Sequence, residues 1–230
     1  MSNLEPSSPN VGQPKSPLIE WKSFVKAVLE VTIQAYQIMR EKGIAQLIWE
    51  EDHFTINLEN YIRPLAYQRG ITVVSQIKAY TLEMETGQVS ARQAKVLDLR
   101  MWGSWQDYHK VHFVWECKRI AASYADKSYK DLIPEYIKDG MFRFIDEEYA
   151  IGLEDAGILA YVLEGDVPSI VHGINQSMQS SQRRRKLTAA DSLQPATSIG
   201  SFKHVYYSCH QRLGSKSMIN LYHLFLTFNF

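Results

Sequence analysis

The chain has 230 residues, 45% of them apolar, enough to bury roughly 70–75% of the unfolded surface in one core. Basic and acidic residues each number 25, so the chain lacks the overall basic excess typical of nucleic-acid-coating domains. Two cysteines, Cys117 and Cys209, are too few for a disulfide framework and fit a reducing cytoplasm.

No stretch approaches the roughly 18 unbroken apolar residues of a membrane helix. The start, MSNLEPSSPNVGQPKSP, has no apolar segment of the secretory kind, so a soluble cytoplasmic protein is expected. Charge is unevenly placed. From Val167 onward there are seven basic residues (Arg183, Arg184, Arg185, Lys186, Lys203, Arg212, Lys216) against one acidic, Asp191, which points to a local polyanion-binding surface on an otherwise acidic body.

Residues 1–17 are rich in Pro, Ser and Asn and are expected to form a disordered tail, with a single domain over 18–230. Between Ile19 and Lys42 the residues Trp21, Phe24, Val25, Val28, Leu29, Tyr36 and Met39 recur at helical steps, and Gly43 closes the segment. A second helical pattern runs through Trp49, Phe54, Leu58, Tyr61, Ile62 and Leu65 to Gly70, with an interruption expected at Pro64.

Short, β-branched segments follow at Ile71–Ile77, Val96–Met101 and Val111–Ile120. The second and third are expected to pair as a hairpin through the turn residues Gly103, Ser104 and Asp107. A Tyr-rich helical region to Tyr149, a strand at Gly157–Leu163 and a helix from Pro168 come next. Residues 177–201, with Arg183–Lys186 inside them, lack sustained periodicity and are expected to be a basic loop or frayed helix end. HVYYSC and MINLYHLFLTF read as closing strands. This order gives an α/β fold, a central mixed sheet flanked by helices.

The chemistry lies in the hairpin. In VHFVWECKRI, alternation sends Val111, Phe113, Trp115 and Cys117 to one face and His112, Val114, Glu116 and Lys118 to the other. In VLDLRM it groups Leu97, Leu99 and Met101 against Val96, Asp98 and Arg100. If the polar faces meet, Asp98, Glu116 and Lys118 share a small space, which is costly in an apolar setting unless a cation is bound. Carboxylates are hard ligands suited to Mg²⁺, and a nearby lysine can orient water and offset negative charge. The competing reading is a surface ion pair on an alternately charged strand.

Asp98, seventeen intervening residues, then Glu116-Cys117-Lys118 within apolar strands resembles the PD-(D/E)XK nuclease superfamily, over roughly Ile19 to Leu163 in order of elements. The resemblance implies a restriction endonuclease-like fold and a Mg²⁺- or Mn²⁺-dependent site that cleaves DNA. It further implies Asp98 and Glu116 as ligands, the Cys117 carbonyl as another, and Lys118 as catalytic base or orienting group. Leu97 stands where the family name has proline. GMFRFIDEEYA, AYVLEGD, YYSCHQR and LYHLFL also resemble nuclease-like proteins of bacterial and phage defence systems. Restriction or anti-phage defence is the expected context, with DNA as partner and the chain acting as a homodimer or as a subunit of a defence system. The alternative is a catalytically inactive nuclease-like binding or assembly subunit.

Other candidates carry less. Glu51 could reach the site from the second helix, as could Glu50 or Glu59, although a solvated first-turn acid is the ordinary reading. His109, His112 and Cys117 do not have zinc spacing, and Cys117 is expected in the core. Arg143, His210 and Arg212 could touch a phosphate or be satisfied by neighbours. No phosphate-binding GxxxxGK[ST] loop, GxGxxG turn or GxSxG elbow occurs.

Overall fold

In the computed structural model, α1 spans Pro17–Glu41 and α2 Glu51–Gln68, close to the periodic segments of the sequence. The structure describes residues 17–78, 96–103, 111–123, 126–180, 191–228 and 230. Residues 1–16 of the expected tail, residues 104–110 of the expected turn with His109, and the Arg183–Lys186 run lie outside them, while Pro17, expected in the tail, begins α1.

Both helices end at glycines with positive φ, Gly43 at 58° and Gly70 at 65°, where a side chain would be strained. The interruption expected at Pro64 is not observed: α2 continues through it. A proline inside a helix costs about 3 kcal/mol. Phe54, Leu58, Ile62 and Ala66 are fully buried along the same helix, and at about 1.5–3 kcal/mol for each large side chain their burial outweighs that cost.

Seven strands form one mixed sheet in the order β1-β2-β3-β4-β7-β6-β5. They are β1 Ile71–Lys78, β2 Val96–Gly103, β3 Phe113–Ala121, β4 Asp155–Glu164, β5 Gln194–Pro195, β6 Val205–Gln211 and β7 Met218–Thr227. β3, β4 and β7 run parallel at the centre, and the outer pairs are antiparallel. The β3-to-β4 crossover carries short helical turns: α3 Leu132–Glu135, a π-helical turn Tyr136–Met141 and α4 Phe142–Ile145. After β4 comes α5, Val167–Ser180.

Each face of the sheet has its own apolar cluster. Phe113, Trp115, Cys117, Leu159, Tyr161, Leu224 and Leu226 join the residues of α1 and α2. Val114, Ile120, Ile158, Ala160, Val162 and Phe225 join the π turn and α5. β4 is buried throughout except at its last residue, as a parallel strand covered on both faces should be. No described helix is long and apolar enough to cross a membrane.

Candidate functional site

The β2–β3 hairpin pairs in the register Leu99↔Trp115, Arg100↔Val114 and Met101↔Phe113. Beyond Leu99 the pairing stops, and the Cys117 N–H donates to Asp98 Oδ2 at 2.6 Å. The alternation expected for β2 fails at this point. Leu99 and Met101 lie in the cluster with α1 and α2, whereas Leu97 lies in the other, so β2 rotates between 97 and 99. Opposite Asp98 in the β1 ladder, Gln76 takes a left-handed φ of 48°, and Ser75↔Leu99 is followed by Ile77↔Leu97. The strand is therefore kinked at Asp98, and its carboxylate takes up a backbone donor of β3.

Along β3 the expected alternation holds. Cys117 turns into the α1/α2 cluster, where its Sγ accepts from the Tyr161 hydroxyl at 3.4 Å. Burial, reinforced by Asp98, pushes its thiol pKa well up, so Cys117 is a core thiol and offers a site only its backbone carbonyl. Glu116 and Lys118 project to the opposite face, where Lys118 Cγ lies 3.4 Å from the position a Cβ would take on Gly140 of the π turn.

Lys118 Nζ donates to Glu51 Oε1 at 2.8 Å and to the Cys117 carbonyl at 2.7 Å, and lies 2.9 Å from Glu116 Oε1. Three donors thus meet three acceptors. Burial opposes the ammonium, but Glu116, Glu51 and Asp98 outweigh it and hold the pKa of Lys118 above its ordinary value. Glu51 is no solvated first-turn acid but a member of the cluster: its Oε2 also accepts from the Arg119 N–H at 3.2 Å. Glu50 turns away to pair with Arg119 at 2.8 Å, and Glu59 pairs with Arg63.

Glu116 is 1% exposed, which excludes the surface ion pair. Its Oε1 also accepts from Arg143 Nη1 at 3.2 Å, while its Oε2 is buried with no partner among the described residues. Burial, then the charge of Asp98, raises the Glu116 pKa to about 8. Burial likewise raises Asp98 to about 6, against the pull of Lys118 and of the Cys117 N–H. Burial thus disfavours the charge on both carboxyls, and one of them keeps a buried oxygen that meets no donor among the described residues, so a bound proton or cation is favoured there.

Among the described residues no group of three or more His, Cys, Asp or Glu side chains is arranged to hold a metal. Asp98 and Glu116 bring two carboxylates, and the Cys117 carbonyl adjoins them. That is a hard-oxygen set, such as Mg²⁺ accepts while keeping several waters.

Arg143 reaches the cluster from α4, a position the sequence could not separate from those of His210 and Arg212. The other two do not come near it. Arg212 is 1% exposed and donates to the Ala150 and Leu153 carbonyls at 2.6 and 2.9 Å, fixing the turn before β4. His210 belongs to a buried chain in which Asp191, His210, Ser208, His223 and Tyr136 are joined by contacts of 2.6 to 2.9 Å. His112 lies 3.0 Å from Arg100, whereas Cys117 is buried in the α1/α2 cluster, so the structure does not bring these two together. No family model, curated protein or solved structure matches the chain.

Proposed function

We propose that this chain is a divalent-cation-dependent nuclease of the PD-(D/E)XK type, with a restriction endonuclease-like arrangement of its mixed sheet, hydrolysing phosphodiester bonds in DNA. The observation that carries the reading is the kinked hairpin that gathers Asp98, Glu116 and Lys118, with Glu116 Oε2 buried and unsatisfied among the described residues.

Asp98, Glu116 and the Cys117 carbonyl would hold Mg²⁺ or Mn²⁺. Bound there, the cation supplies neutralisation of phosphate charge and a more acidic water. The chain's own groups do the rest. Glu51, Glu116 and the Cys117 carbonyl hold Lys118 Nζ in place and keep it protonated, so Lys118 acts as a positioned donor to water or to a phosphate oxygen. The core behind Cys117 limits bulk water on one side, which strengthens each of these interactions. Defence against foreign DNA is the setting that the sequence resemblance suggests.

A second reading has its own support. Lys118 and Arg143 already occupy Glu116 Oε1, as they would in a catalytically inactive subunit that keeps the cluster as a buried polar core. Incubating the protein with supercoiled and linear DNA, with and without Mg²⁺ or Mn²⁺, separates the two. Cation-dependent strand breakage supports the enzyme, and intact DNA under every condition supports the inactive subunit.

A further inference from the structure

Arg143 is differently placed from the other cations at the site. Lys118 is almost enclosed, its side chain 11% exposed, and all its donors are used. Arg119 is committed to Glu50 and to the Trp49 carbonyl. Arg143 is 29% exposed, and only its Nη1 is engaged, by Glu116 Oε1 at 3.2 Å and by the Tyr149 hydroxyl at 2.5 Å. Among the described residues its Nη2 and Nε meet no acceptor.

The side chain is also held in place. The Tyr149 ring lies 5.3 Å from the guanidinium carbon, and the Tyr149 hydroxyl donates to the Val96 carbonyl at 2.8 Å. That ties Arg143 to the strand bearing Asp98. A planar fork fixed at one nitrogen and open at the others suits a tetrahedral oxyanion, to which it can donate two parallel hydrogen bonds.

We infer that Arg143 is the phosphate-binding residue of the site, its free Nη2 and Nε holding a non-bridging oxygen of the phosphodiester beside Asp98 and Glu116. The inference rests on the nuclease reading above. Glu51 repels a polyanion, and among the described residues of the site Arg143 is the cation with donors to spare for one. The Tyr149 clamp spares the guanidinium an ordering cost when substrate arrives.

The test measures binding of a fluorescently labelled DNA duplex in Ca²⁺ by wild type, Arg143→Gln, Arg143→Lys and Tyr149→Phe. Ca²⁺ uptake by each is read separately as the Ca²⁺-dependent rise in melting temperature. A charge-assisted contact of this kind corresponds to a loss on the order of 10- to 100-fold in affinity. Arg143→Gln should show that loss, Arg143→Lys only partial recovery, and Tyr149→Phe a smaller loss, each with Ca²⁺ uptake retained. Wild-type DNA affinity in both Arg143 variants overturns the inference. So does parallel loss of Ca²⁺ uptake and DNA affinity in Arg143→Lys, which would make Arg143 a buttress for Glu116 alone. A wild-type protein that takes up no divalent ion and binds no DNA overturns the nuclease reading, and this inference with it.

Discussion

Glu116→Gln should stabilise the metal-free protein at high pH and leave it nearly unchanged at low pH. The folded-state pKa of Glu116 stands at about 8 against an ordinary 4.5, so between those values the folded protein binds more protons than the unfolded chain. Stability must then fall as pH rises through that window. A tenfold difference in proton affinity between the two states corresponds to ~1.4 kcal/mol, so ionising this one carboxyl costs the fold a few kcal/mol by the top of the window.

Glutamine keeps an oxygen that can accept from Lys118 and Arg143, and it has no charge to desolvate. For a domain of this size 1 kcal/mol moves the melting temperature by about 2–4 °C. In EDTA the variant should therefore melt several degrees above wild type at about pH 8.5 and close to it at about pH 5. Adding Mg²⁺ or Mn²⁺ reverses the order, because only a native state that binds the ion gains from it. Parallel pH profiles for the two proteins in EDTA would refute this account of Glu116, and so would equal stabilisation by the cation.

Three further outcomes are expected. Lys118→Arg should not restore cleavage, since a planar guanidinium cannot replace a compact ammonium that fits between three oxygens; near-wild-type turnover in a single-turnover assay would show that charge alone matters. Gly157→Ala should lower the melting temperature by an amount matching about 1–3 kcal/mol or more, because a Cβ there would lie 2.1 Å from the buried Trp115 ring; unchanged melting would contradict the packing. Tyr136→Phe removes the hydroxyl that meets His223 Nδ1 at 2.6 Å. Burial keeps His223 neutral, and an unsatisfied buried nitrogen costs about 1–3 kcal/mol, which thermal melting will show or exclude.

Periodicity was enough to place α1, α2, the β2–β3 hairpin and the closing strands, because their apolar faces repeat over several turns or alternations. On β3 it also separated Cys117 from Glu116 and Lys118, since that strand stays regular. It failed on β2 because the kink at Asp98 depends on the partner residue Gln76, which no local pattern marks. Pro64 misled for a related reason: burial of four neighbours on α2 decides there, and burial is a tertiary quantity. The roles of Glu51 and Arg143 depend on where the start of α2 and the short helix α4 land against β3. Spacing along the chain contains no such information.

If Asp98, Glu116 and Lys118 form one cation-dependent cleavage site, loss of any one of them abolishes cutting. The most direct measurement compares nicking of supercoiled DNA by wild type and by Asp98→Ala, Glu116→Ala and Lys118→Ala, each checked for folding by thermal melting. Wild type should cut in Mg²⁺ or Mn²⁺ and not in EDTA, and each folded variant should lose on the order of 10²-fold or more in rate. Equal cutting by all four proteins, or no cutting by wild type with either cation, would contradict the account.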